Sequence, residues 1–355
     1  HRGRLIRQIG FKYPVRGKDV TVTLDAGLQE LCYRALIGRR GAVLVMDLES
    51  GDLLAAVSRP GFDPAAFVNP EQSEYVTEVL NDPKQPLFNR AVSTVAPPGS
   101  VFKMVSAYAG FLSGQLHRAT AFTCTGHFFI GPARFKCWNE DGHGRLTLSG
   151  ALAASCNVFF YQWGLKVGAH PLAAAARSFG FGQTVGIDLP GENKGFVPDP
   201  NWKLRQTGER WYPGETAIYS IGQGPLTVTP LQILRMTAAV ALGNKIPQVH
   251  LLQAIDGEPV EAPPPTKLKL NPALFSEIRH GMVDAIEWEH GTARFARVRD
   301  VSMAGKTGTA QSRPGKPAHA WFCGYAPKDN PKVALVVFVE YGYSGGEIAA
   351  PIARK

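Results

Sequence analysis

Apolar and polar positions alternate over Val20-Thr21-Val22-Thr23-Leu24, the pattern of a half-buried strand. Asp25 follows where a helix cap belongs, and Leu28, Leu31, Cys32 and Leu36 then recur at helical spacing as one apolar stripe. Two apolar runs, 41–48 and 53–58, are joined by Glu49-Ser50-Gly51-Asp52, whose turn chemistry predicts a hairpin. From about 96 to 295 helical periodicity dominates, most plainly over 148–167 and 229–242. Strand signals return over 302–310, 320–326 and 333–341, and 347–355 reads as a final helix packed back on the sheet. The run 333–339 is wholly apolar and rich in β-branched residues, as a buried central strand requires. Internal repeats are absent.

Strands at both ends with helices between them predict an α+β fold. The expected architecture is an antiparallel five-stranded sheet flanked by helices, with a mostly helical subdomain beside it. The α/β part covers about 21–95 and 296–355 and the helical part about 96–295, while residues 1–20, basic and irregular, read as a linker. The functional cleft is expected where the helical part meets the sheet.

With 355 residues and a hydrophobic fraction of 45%, the chain can fill a substantial core. Its 38 Lys and Arg against 29 Asp and Glu leave a net charge of +9, which suits an anionic partner. No dense basic tract with interleaved aromatics and no nucleic-acid motif is present, so nucleic acid ranks last. No stretch of about 18 apolar residues occurs, so nothing in the sequence reads as a membrane-spanning helix. The chain starts abruptly at His1 without a signal peptide, and the expectation is that an N-terminal anchor has been lost.

Three short segments carry candidate chemistry. In the first, Ala96-Pro97-Pro98-Gly99 forces a turn ahead of Ser100-Val101-Phe102-Lys103. Phe102, Val105, Ala109 and Leu112 continue as a helix, so Ser100 and Lys103 share a face and the amine can reach the hydroxyl. A serine needs such a base to become a nucleophile, and the lysine serves only when neutral. The bland alternative is an N-cap serine followed by a surface lysine. The second segment, Ser155-Cys156-Asn157, lies in an apolar, buried stretch where polar groups need partners. Ser155 could pass a proton from Lys103 to a leaving amine, and Asn157 could bond the substrate backbone; otherwise the pair caps or kinks a helix. The third, Lys306-Thr307-Gly308-Thr309, lies on a strand signal whose glycine marks close approach by a ligand or backbone. A peptide could pair beside it, with Lys306 and Thr307 facing a carboxylate and the N–H groups of Ser100 and Thr309 forming an oxyanion hole. The alternative is a bulged strand with a surface lysine. The three occur in the order that acyl transfer through a serine ester needs, spaced by 55 and 151 residues.

With these motifs the chain resembles the transpeptidase domain of class B penicillin-binding proteins, over nearly its whole length. Asn89-Arg90-Ala91, Phe181-Gly182, Gly186-Ile187-Asp188-Leu189-Pro190-Gly191-Glu192, Ile221-Gly222-Gln223-Gly224 and Thr229-Pro230-Leu231-Gln232 add to the resemblance. So do Lys306 to Gln311 as a block and His319-Ala320-Trp321-Phe322. Within that class, Leu80-Asn81-Asp82-Pro83 and Gly142-His143-Gly144-Arg145-Leu146 resemble the elongation-type penicillin-binding protein 2. The resemblance implies a penicillin-binding, serine β-lactamase-like fold, with Ser100, Lys103, Ser155, Asn157 and Lys306 catalytic and Thr307, Gly308 and Thr309 binding substrate. It implies attack on the penultimate D-Ala of a peptidoglycan stem peptide, release of D-Ala, transfer to an acceptor amine and covalent inhibition by β-lactams. It also implies the periplasmic face of the inner membrane, an N-terminal anchor and pedestal (of which residues 1–20 would hold a remnant), and a membrane glycan polymerase and elongation-complex proteins as partners. A D,D-carboxypeptidase, a β-lactamase, or a non-catalytic sensor or scaffold are the competing readings.

Five cysteines do not make a tidy disulfide set. Cys32 and Cys323 read as buried thiols. Cys124, Cys137, His143 and Cys156, spaced by 13, 6 and 13, are of zinc-ligand type in a loop-rich stretch, with His127 a rival fourth ligand. Some proteins similar to penicillin-binding protein 2 carry a metal near this position. The alternatives are reduced, buried thiols, or a Cys124–Cys137 disulfide in the oxidising compartment that the resemblance implies.

Overall fold

The computed structural model of the chain describes Gly10 and residues 13–355. The reading of residues 1–20 as a linker therefore lies largely outside the described residues. The main sheet is antiparallel and five-stranded, in the order Ala304–Ala310, His319–Ala326, Val333–Val339, Gly41–Asp47, Leu53–Arg59. The all-apolar strand Val333–Val339 is the central one, paired with Val336 opposite both Cys323 and Leu44.

Because side chains alternate across a strand, each strand feeds two layers. Val43, Val57 and Val337 pack with Cys32, Leu36, Ala349 and Ile352, under the helices Ala26–Ala35 and Ala350–Arg354. Leu44, Val336 and Phe338 pack with Leu234 and Ala238 under the helix Pro230–Leu242. Trp321 and Phe338 are cross-strand partners with ring centroids 4.3 Å apart. Burying side chains of this size stabilises by roughly 1.5–3 kcal/mol each. The Trp321 indole also donates to Pro97 O at 3.0 Å, tying the sheet to the turn before Ser100.

Three sequence expectations are corrected. Val20–Val22 is a strand, but it pairs with Leu252–Ile255 in a separate small sheet. Leu31 departs from the expected stripe and is 45% exposed, since only one side of its helix meets the sheet. The apolar pattern over 148–167 is two helices, Leu148–Ala153 and Asn157–Val167, because Ser155 adopts φ +52° between them. The helical region also carries short strands, among them the hairpin His127–Ile130 with Ala133–Lys136 and the pair Phe122–Cys124 with Gly144–Leu146. Among the described residues no helix is long and apolar enough to cross a membrane.

The helix Lys103–Leu112 is buried along its first eight residues. It is held by Trp163 Nε1 donating to Ser106 O at 2.8 Å and by Ser106 Oγ donating to Ser220 O at 2.7 Å. Its N-terminal turn backs onto Ala304–Ala310, the edge strand of the main sheet. Gly308 makes that approach: a Cβ there would lie 2.9 Å from Pro98 O and 3.1 Å from Val101 Cγ1. Gly308→Ala is expected to lower unfolding stability by about 1–3 kcal/mol through overpacking against backbone, read by urea denaturation. Unchanged stability would show that the strand and the turn are free to separate.

Candidate active site

Pro97 and Pro98 fix φ, and Gly99 then turns the chain at φ +55°. A Cβ at Gly99 would lie 2.6 Å from Thr309 O, so this turn is pressed against the edge strand. Gly99 N donates to Gly222 O at 2.9 Å from the other side. The chain continues as a single 3-10 turn, Gly99–Phe102, before the helix begins at Lys103. Residues three apart eclipse in such a turn, which puts Ser100 and Lys103 on one face. Ser100 is half-buried.

Lys103 is fully buried. Its Nζ donates to Ser155 O at 2.8 Å, to Asn157 Oδ1 at 2.8 Å and to Ser155 Oγ at 3.3 Å. Among the described residues these are its hydrogen-bond partners; the Ser100 hydroxyl is not one of them. Lys306 is also fully buried, and its Nζ donates to Ser155 Oγ and to Thr307 O, both at 3.0 Å. The Ser155 hydroxyl therefore sits between two amines. Burial lowers Lys103 to about 8, with the Cys156 and Cys137 sulfurs partly opposing the shift. Burial first, and then repulsion from Lys103, pushes Lys306 well below the ordinary lysine range. Both effects penalise a charged amine in a dry interior.

The edge strand presents its remaining residues unevenly. Thr307 is only 4% exposed, with its Oγ1 3.0 Å from Thr292 Oγ1. Thr309 is exposed, and its Oγ1 accepts from Gly345 N at 3.1 Å. Gln223 Nε2 donates to Thr309 O at 3.4 Å, from the loop that also holds Gly99.

Cys124, Cys137, His143 and Cys156 converge beside Ser155. One ligand atom from each lies within 4.8 Å of the others, and His143 Nδ1 is 3.6 Å from Cys124 Sγ and 3.5 Å from Cys137 Sγ. A tetrahedral zinc with Zn–S bonds of about 2.3 Å needs ligand atoms about 3.8 Å apart, which these residues fit. A hydrogen bond from Cys156, and then one from His143, holds Cys137 low, toward thiolate, while Cys156 is driven up. All five cysteines are free thiols, so the Cys124–Cys137 disulfide is not formed. His127 lies on the hairpin, its Nδ1 3.4 Å from Arg134 and its ring against Phe129, away from the sulfurs. Cys156 Sγ accepts from Phe159 N at 3.4 Å and so caps the helix Asn157–Val167.

Residues 41–355 match the family described as the penicillin binding protein transpeptidase domain. The chain belongs to this family. It is similar to the peptidoglycan D,D-transpeptidase MrdA of Acinetobacter baumannii, 37% identical over 99% of this chain and 55% of that protein. It is similar to the crystal structure of Pseudomonas aeruginosa PBP2 in complex with WCK 5153, with a TM-score of 0.87 at 36% identity over 96% of this chain and 75% of that one. It is also similar to PBP2 from Helicobacter pylori in complex with MreC, with a TM-score of 0.86 at 32% identity over 94% of this chain and 63% of that one. The chain thus spans a little over half the length of the curated relatives that it matches.

For this penicillin-binding domain, sequence reasoning passed over three groups at the site. Thr292 bonds Thr307 and Ala153 O, and Gln223, within the Ile221-Gly222-Gln223-Gly224 block, bonds Thr309 O. Trp138 donates from Nε1 to Ala154 O and Ser155 O. Their only sequence signals are a polar residue after a glycine, a glycine-flanked amide and an aromatic next to a candidate ligand.

The Lys103 amine loses its proton through about pH 8 rather than near 10.5. The folded chain binds fewer protons than the unfolded one between those values, so this group's penalty on stability is full below about 8 and relieved as pH rises. Covalent labelling by a penicillin is expected to speed up with pH along a limb with its midpoint near 8. A rate flat across that region would remove Lys103 as the base.

Proposed function

We propose that this chain is the catalytic domain of a peptidoglycan D,D-transpeptidase that crosslinks the wall during elongation. The observation that carries the reading is the Ser155 hydroxyl held between the buried amines of Lys103 and Lys306. Residues 21–355 would form the transpeptidase domain, with an α/β part over about 21–95 and 296–355 and a helical part over about 96–295.

In this reading neutral Lys103 accepts the Ser100 hydroxyl proton as Oγ attacks the penultimate D-Ala carbonyl of a stem peptide. The N–H groups of Ser100 and Thr309 stabilise the oxyanion. Collapse breaks the peptide bond, and the Ser155 hydroxyl passes the proton to the departing D-Ala amine, with Lys306 holding that hydroxyl. Asn157, Thr307, Gly308 and Thr309 position the peptide along the edge strand. An acceptor amine then attacks the ester, gives up a proton through the same relay and frees Ser100. No cofactor takes part. A β-lactam acylates the same hydroxyl through its strained amide. Cys124, Cys137, His143 and Cys156 would hold a structural zinc, which when bound supplies a crosslink between the loop-rich stretch and the Ser155 segment. The protein would be anchored N-terminally on the periplasmic side of the inner membrane. It would work with a membrane glycan polymerase and elongation-complex proteins; the complex of Helicobacter pylori PBP2 with MreC supports the latter.

Intact-mass analysis after incubation with penicillin is expected to give one adduct per chain, absent from Ser100→Ala. An adduct on the alanine variant would overturn the nucleophile. Crosslinking of a glycan with donor and acceptor stems separates a transpeptidase from a carboxypeptidase or a sensor, which would yield no crosslinks. Zinc is expected at one per chain, and its chelation is expected to lower Tm by about 5 °C or more, since about 1–2 °C corresponds to 1 kcal/mol for 355 residues. An unchanged Tm with no bound metal would leave the four residues as plain buried thiols and imidazole.

A further inference from the structure

The Ser155 backbone is at φ +52°, a region that residues other than glycine seldom adopt. Its setting explains why. Ser155 N donates to Leu152 O at 3.1 Å and Cys156 N to Ala151 O at 2.9 Å, the paired bonds of a Schellman helix end. Ser155 thus stands at the left-handed position where helices usually place glycine. Such an end leaves its last carbonyls without helical partners. Here the Trp138 indole takes one of them, Ala154 O at 3.0 Å, and also donates to Ser155 O, just past the helix, at 3.2 Å. The same Ser155 carbonyl accepts from Lys103 Nζ at 2.8 Å.

Trp138 is not placed there by burial, for it is 58% exposed. It follows Cys137 directly, and its ring meets that of His143 edge-on at 5.1 Å. We infer that Trp138 is a positioning residue for the Ser155 hydroxyl: its N–H clamps the left-handed helix end and links the Cys/His cluster to the segment between the two lysines. The inference rests on the transpeptidase reading and adds to it a residue outside the three motifs. Because the clamp fixes a hydroxyl that moves a proton, its loss slows bond making and not binding.

Trp138→Phe keeps an aromatic ring and removes the donor. The test measures penicillin acylation with the rate of the covalent step separated from the initial dissociation constant, together with metal content and Tm. The covalent step is expected to fall about tenfold, the equivalent of one hydrogen bond, with the dissociation constant within about twofold and the metal content equal to that of the wild type. In a Ser155→Ala background the same substitution is expected to cost less than about twofold, because the group it positions is gone. An equal loss in both backgrounds, or a wild-type rate for folded Trp138→Phe, overturns the inference. Should Trp138→Phe not fold, 3-benzothienylalanine at 138 keeps the bicyclic shape without the N–H and reads the same quantities. A wild-type protein that takes no penicillin overturns the transpeptidase reading, and this inference with it; a labelled wild type beside an unaffected variant overturns this inference alone.

Discussion

Two fully buried amines share one hydroxyl, and that constraint organises the rest of the structure. Like charges about 4 Å apart at an effective dielectric near 20 repel by about 4 kcal/mol, before any cost of desolvation. Lys103 and Lys306, both fully buried against Ser155, therefore cannot both stay charged cheaply. Each has acceptors fixed around it: Ser155 O and Asn157 Oδ1 for one, Thr307 O for the other. The arrangement lowers Lys103 to about 8 and holds Lys306 well below the ordinary lysine range, which a surface position does not do.

Three parts of the chain must meet for this, and each is brought in by a different device. The Pro97-Pro98-Gly99 turn is driven against the edge strand and pinned by the Trp321 indole. Lys306 rides on that strand, so its depth is set by the register Lys306 opposite Cys323 in the main sheet. Ser155 comes from the junction of two helices, where the chain bends because the first helix ends and Cys156 caps the second. The sulfur cluster and Trp138 gather at this junction, the least regular of the three parts.

Much of the fold was legible in the residues. The run 333–339 announced a central strand, and the two apolar runs about Gly51 announced their hairpin. Residues of the three motifs meet at the Ser155 hydroxyl, although the Lys103 amine bonds Ser155 and Asn157 and not the Ser100 hydroxyl. What escaped had physical reasons. Periodicity joined 148–167 into one helix because the left-handed residue at the break is a serine, and the usual glycine signature is missing. Spacing alone left His127 and His143 open, since the choice depends on a hairpin carrying His127 outward while a turn folds His143 onto the sulfurs. Thr292, Gln223 and Trp138 act through backbone carbonyls or single hydroxyls, contacts with no pattern along the chain.

The strand Ala304–Ala310 forms the rim of the main sheet, with one row of amides and carbonyls unclaimed by any neighbouring strand. Rims of this kind invite other proteins to add themselves and aggregate. Here the 99–102 turn leans on residues 308–310 and Gln223 covers the Thr309 carbonyl, so part of that row is already occupied by the chain itself. A foreign β-layer would have to displace that turn to pair along the strand. The crowding that aims the serine thus doubles as a guard against promiscuous self-association.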